Sequence, residues 1–136
     1  MADTPLPPGF TAAKMSQAQK ALEAALGADK VFFTDLDRIS YQDKFAVEEV
    51  RHHPSGAIAP TSVEEVQAAV KIANQFRLPL WPISRGKNLG YGGTAPELSG
   101  TVVLDLSRMK KIEFDEANGV VTLEPEPQKN GKTISW

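Results

Sequence analysis

The 136 residues suffice for one domain, and 41% hydrophobic with 24% charged residues is ordinary for a globular protein. A net charge of -2 supplies no basic field for nucleic acid, and the absence of cysteine excludes disulfides, thiol catalysis and thiolate metal sites while leaving the compartment open. No apolar run approaches the ~18 residues of a membrane span, and the first residues have neither the basic nor the apolar region of a secretory signal, so no membrane partner and a cytoplasmic location are expected.

Residues 1–9 hold three prolines and a glycine and are expected to be an extended lead-in. Thr11 is placed to cap a helix over residues 12–26, a stretch rich in Ala, Lys, Gln, Glu and Leu. Met15, Ala18, Leu22 and Ala25 make its apolar face, and Gly27 ends it. Val31, Phe32 and Phe33 are too few to type. Residues 34–44 suggest a capped turn of helix. Asp35, Asp37 and Asp43 lack the glycine and closing glutamate of a calcium loop and read as solvated caps. Residues 45–53 fit a loop crossing a sheet. The two histidines, His52 and His53, are adjacent, so on a strand they face opposite ways, and no carboxylate follows at metal-ligand spacing. No metal site is expected; a place beside a cofactor stays open for one of them.

A short strand bounded by prolines covers residues 56–59. Ser62 and Glu65 have the spacing of a capping box for a helix over residues 62–76. Val63, Val66, Ala69, Val70 and Ala73 form its expected buried stripe, and Glu64, Gln67, Lys71 and Gln75 its wet face. Pro79 stops the helix. A strand over residues 80–84 completes a βαβ unit with parallel strands. Trp81 and Ile83 share one face of it, and Pro82, lacking an N–H, argues for an edge or a strand end. Residues 101–106 read as a strand. Residues 112–115 and 120–123 read as a hairpin around Asn118-Gly119. From Glu124 the periodicity stops, and a loose tail is expected.

Between the strands at 80–84 and 101–106 lie Gly86, Gly90, Gly92 and Gly93, with Arg85, Lys87 and Asn88 among them. Glycines let backbone N–H groups approach a ligand, and consecutive N–H groups form nests that hold anions. The stretch therefore reads as a phosphate or pyrophosphate cradle, with a ligand-free glycine turn as the plain alternative. It is not a Walker A loop, because Asn88 follows Lys87 and no helix opens after Gly93. It is not a dinucleotide-binding fingerprint either, because the spacing and the following helix are both missing.

The run Leu80-Trp81-Pro82-Ile83-Ser84-Arg85-Gly86-Lys87-Asn88-Leu89-Gly90-Tyr91-Gly92-Gly93, with Ala95-Pro96 beyond it, resembles the pyrophosphate loop of the vanillyl-alcohol oxidase and p-cresol methylhydroxylase (PCMH) flavoproteins, especially the 4-alkylphenol-oxidising branch. The resemblance extends through Ala57-Ile58-Ala59-Pro60, residues 62–67, 100–106 and 109–112, to Glu124-Pro125. It implies an α+β fold, the first subdomain of a PCMH-type FAD-binding domain, with a small mixed sheet flanked by helices and containing the βαβ unit. The implied organisation is a lead-in at 1–9, the N-terminal part of the FAD-binding domain at 10–125 and an atypical tail at 126–136. It implies that Pro82, Ile83, Ser84, Arg85, Gly86, Lys87, Asn88, Gly90 and Tyr91 wrap the FAD pyrophosphate, with Arg85 and Lys87 adding charge or else facing solvent, and Tyr91 against the loop or the adenosine. The implied parent is an oxidase or dehydrogenase acting on the benzylic carbon of para-substituted phenols, and a homo-oligomeric parent is compatible with it.

Two departures qualify the likeness. Many relatives in the wider superfamily carry a flavin-bonding histidine in this loop; Leu89 stands near that position, so FAD is not expected to be covalently attached through this segment. The relatives continue Glu-Pro-Gly-Val into a helix, whereas this chain has Glu126-Pro127 after Glu124-Pro125. That departure suggests a truncated, frameshifted or shortened reading frame, and no catalytic residue is assignable. The rival expectations are a non-catalytic module or assembly partner that does not hold FAD alone, and a phosphate-binding domain for another nucleotide.

Overall fold

The computed structural model of the chain describes residues 4–42, 52–86 and 94–127. Helix α1 (Ala12–Leu26) is capped by the Thr11 hydroxyl, which accepts from the Lys14 N–H at 3.2 Å. Its buried residues are Met15, Ala18, Leu22 and Leu26. Leu26, and not the expected Ala25, ends the stripe, because about three full turns bring it back over Met15. A 3-10 turn (Ala28–Lys30) leads into β1 (Val31–Phe32). Helix α2 (Asp35–Ser40) has a full capping box between Thr34 and Asp37, while Asp35 pairs with Arg38. Both aspartates thus act as helix-end groups, as expected; Asp43 lies outside the described residues.

Next come β2 (Gly56–Ile58), α3 (Val63–Phe76), β3 (Leu80–Ile83) and β4 (Val102–Asp105). The four-stranded sheet runs β1-β2-β4-β3, with β1 antiparallel to β2 and the other three parallel. The sheet is therefore mixed, as expected. The two strands of the βαβ unit are parallel but do not pair, because β4 sits between them. Pro82 is exposed on β3, an edge strand where a missing N–H costs least, and Trp81 and Ile83 alternate with it as half-buried residues.

Helix α1 packs on α3. Met15, Ala18, Leu22, Ala69 and Ala73 meet Val31, Ile58, Val102 and Leu104 in one core. Ala57 and Val103 point to the opposite sheet face and are also fully buried. Two expectations for α3 need correction. Val63 and Val70 are 55% and 40% exposed, so the buried stripe narrows to Ala69 and Ala73, with Val66, Ile72 and Phe76 at its margins. Alanines let two helices approach closely, which leaves valines off the contact line in water. The capping box is also only half made. The Ser62 hydroxyl accepts from Glu65 N–H, but the Glu65 carboxylate turns to the Thr61 N–H at 2.7 Å and to Lys30. The Lys30 contact, followed by the Thr61 N–H, holds the Glu65 carboxyl below its ordinary pKa.

Strands β5 (Ile112–Asp115) and β6 (Val120–Leu123) form a separate antiparallel hairpin. Asp115 closes its turn, accepting from the Asn118 side chain at 2.7 Å and from the Ala117 and Asn118 N–H groups, which lowers its pKa. Ile112, Phe114, Val120 and Leu123 are about half exposed. Residues 124–127, expected to begin a loose tail, are tied down. Glu124 N–H donates to Lys111 carbonyl at 2.9 Å, and Glu126 N–H to Met109 carbonyl at 2.9 Å. Among the described residues no helix is long and apolar enough to cross a membrane.

The N-terminal segment also packs, through Gly100. That residue has φ +84°, and a Cβ there would lie 2.2 Å from the Leu6 carbonyl carbon and 2.3 Å from Pro7 N. Its N–H donates to the His53 carbonyl at 2.7 Å, so it cannot move aside. Gly100→Ala is expected to destabilise the fold by roughly 2–4 kcal/mol, backbone strain and overpacking together. A lowered urea midpoint at unchanged slope checks it.

Candidate functional site

Three parallel strands, β2, β4 and β3, end on one edge of the sheet, and the chain leaves β3 there through Ser84, Arg85 and Gly86. Open parallel sheets place ligands outside the carboxyl ends of their strands. Ile83 is in register with Asp105, and the Leu106 N–H donates to the Ile83 carbonyl at 2.8 Å, so the strand ends are locked side by side. Ser84 and Arg85 are exposed, and Gly86 is half-buried with φ +70°. A Cβ on Gly86 would approach Thr94 Cγ2 to 2.8 Å. The Trp81 indole N–H donates to the Thr94 carbonyl at 3.1 Å. The connection thus departs at Gly86 and is anchored again at Thr94, with Trp81 beneath the return.

Of the sequence-predicted site residues, Pro82, Ile83, Ser84, Arg85 and Gly86 stand together at this edge. Lys87, Asn88, Gly90 and Tyr91 lie outside the described residues. Arg85 is not simply turned to solvent: its Nε–H donates to the Glu126 carboxylate, a nearly buried group. His52 and His53 belong to the other end of the sheet. The His52 Nδ1–H donates to the Pro96 carbonyl at 3.0 Å, and the His53 carbonyl accepts from Gly100, just before β4. Among the described residues no cluster of metal-ligating side chains occurs. Cavities of about 550 and 520 Å³ are lined by other residues, the first by Leu6, Met15, Phe33 and Arg38 among others, the second by the outer face of α3.

Three side chains at this edge were not singled out from the sequence. Asp105 ends β4 and accepts from Ser107 N–H at 2.9 Å and from the Tyr41 hydroxyl at 2.6 Å. A charge closing an apolar strand was a signal for Asp105. Nothing local pointed to Tyr41, 64 positions away in sequence, or to Glu126. Burial, and then the hydrogen bond to Asp105, push the Tyr41 phenol well above its ordinary pKa. Tyr41 therefore keeps its proton and donates, and Asp105 is held as an acceptor at the end of β4.

Tyr41→Phe is expected to cost about 1.5–3 kcal/mol, the worth of one hydrogen bond to a charged partner. The contribution is complete below the unfolded phenol's value of 10.0. It is lost as pH rises from there toward the raised folded value, because the unfolded phenol ionises first. Ultraviolet titration of a Tyr91→Phe variant, which leaves Tyr41 as the one phenol, should show tyrosinate forming only above the ordinary range.

Residues 54–125 match a protein family described as an FAD binding domain. The chain is 42% identical over 108 residues to the 4-cresol dehydrogenase [hydroxylating] flavoprotein subunit of Pseudomonas putida, covering 79% of this chain and 21% of that protein. It superposes on p-cresol methylhydroxylase with substrate bound at a TM-score of 0.76 and 41% identity, covering 82% of this chain and 22% of that one. It superposes equally, at 0.76 and 38% identity, on a 4-ethylphenol oxidase from Gulosibacter chungangensis in its isoeugenol complex, again with 82% and 22% covered. The chain spans about one fifth of the length of these relatives. The matched stretch exceeds half of the chain and contains β2, α3, β3 and β4, so this protein belongs to the FAD-binding domain family, and the relatives it resembles include the p-cresol methylhydroxylase flavoproteins.

Proposed function

We propose that the residues following β3 hold the FAD diphosphate, and that the chain serves as the N-terminal FAD-binding part of a longer phenol-oxidising flavoprotein. The observation that carries the first part is the edge itself: parallel strand ends locked in register, with exposed Ser84 and Arg85 and a positive-φ Gly86 leaving β3. Backbone without a Cβ can close on an anion, a hydroxyl can donate, and a guanidinium matches a phosphate oxygen pair. The described donors therefore fit a diphosphate. Lys87, Asn88, Gly90 and Tyr91 belong to the same proposed site by sequence.

In the longer protein the chemistry that FAD supplies is acceptance of a hydride from the benzylic carbon of a para-substituted phenol. The relatives named above, which act on 4-cresol and 4-ethylphenol by their names, support that substrate class. This chain's part is to bind and orient. Trp81 fixes where the connection returns, and Tyr41, at the end of α2, ties down Asp105 at the end of β4. A cytoplasmic location belongs to the same reading and rests on composition alone.

Titrating the chain with FAD while following flavin fluorescence should give saturable quenching. Gly86→Ala, which forces a side chain into left-handed backbone against Thr94, should weaken binding about tenfold. Equal affinity in the variant would remove this loop from the site. For the parent, a longer protein containing this chain, loaded with FAD and mixed anaerobically with 4-cresol, should lose its oxidised flavin absorbance. Persistence of the yellow colour with every para-alkylphenol tried would sink the substrate class.

A further inference from the structure

Arg85 is the cation that opens the glycine connection, and its charge is already engaged. Its Nε–H donates to the Glu126 carboxylate. The Glu126 side chain is 8% exposed and that of Arg85 52%. A carboxylate buried this far is costly unless a cation faces it. The pair is also held from behind. Met109 N–H donates to the Leu106 carbonyl at 3.0 Å, Leu106 N–H to Ile83 at 2.8 Å, and Glu126 N–H to Met109 at 2.9 Å. These backbone bonds run from the end of β3 to Glu126 and fix the Glu126 main chain beside Arg85.

An incoming diphosphate seeks the same guanidinium and meets a like charge beside it, at short range and poorly screened. We propose that Glu126 is an intramolecular counter-anion that competes with the ligand's diphosphate for Arg85 and sets the anion affinity of this edge low. This inference rests on the reading of the residues after β3 as a diphosphate site. It makes Glu126 an affinity-determining residue that touches the ligand only through Arg85.

Calorimetric titration of the whole chain with ADP tests it. Glu126→Gln keeps an acceptor for the Arg85 Nε–H while removing the charge, and should bind ADP about tenfold more tightly than the unsubstituted chain. The double variant Arg85→Gln with Glu126→Gln should lose that gain. Urea midpoints establish that each variant is folded. If the unsubstituted chain binds ADP and folded Glu126→Gln binds no more tightly, the competition is overturned while the diphosphate site stands. If neither binds at millimolar ADP, the site reading fails and takes this inference with it. Should Glu126→Gln not fold, the unsubstituted chain still decides. Its Arg85 Nε–H nuclear magnetic resonance signal, assigned by its loss in Arg85→Lys, must move as ADP saturates the site. A signal unmoved at saturation overturns the proposal.

Discussion

The constraint on which the edge depends is that β3 and β4 are neighbours and parallel, with no helix between them among the described residues. A chain joining two such strands must travel the length of the sheet before it can re-enter. It therefore leaves at the carboxyl edge, through Ser84, Arg85 and Gly86, and arrives at the opposite edge, where Gly100 N–H bonds to the His53 carbonyl. Topology puts Gly86 at the strand ends, and Thr94, Ala95 and Pro96 carry the return, the last two buried. The same requirement sends His52 and His53 away from the carboxyl edge, although in sequence they precede a strand that ends on it.

Charge at that edge is arranged in matched pairs. Asp105 is satisfied by the Tyr41 hydroxyl and the Ser107 N–H, Arg85 by Glu126, and further back Glu65 by Lys30 and Thr61. Each carboxylate lies close to where a diphosphate would add negative charge or beside the helices that support it, and each is committed to a donor within the fold. Preformed pairing satisfies these groups and holds them in place. Arg85, read from the sequence as a loop cation, thus already has a carboxylate partner.

The elements with local signals were legible in the sequence. Thr11 before an Ala-rich run, Ser62 before a valine-alanine run and Asn118-Gly119 between two short apolar runs each fell where a cap or a turn was expected. Pro82 correctly marked an edge, because the loss of one N–H is a statement about hydrogen bonding and not about distant partners. The misses were of another kind. Val63 and Val70 fit the helical period, yet the close approach of α1 to α3 buries alanines and leaves them outside. Glu65 had the spacing for Ser62 but found Lys30 instead. Tyr41 reaches Asp105, and Glu126 reaches Arg85, across gaps that no local pattern spans. At that edge, β3 was readable because its short apolar run and Pro82 are local signals. The side chains that tune it were not, because only the tertiary fold brings them in.

The insertion of β4 between β2 and β3 also orders events in time. During synthesis β3 emerges before β4, yet its only described sheet partner is β4. Until residues 102–105 are available, β3 has nothing to pair with, and β2 has only β1. Pairings that wait on distant segments are slow and leave strand edges open meanwhile. The sheet therefore closes with β4 entering a gap between two waiting strands. The ends of β3 and β4, Ile83 and Asp105, can come into register only in that pairing.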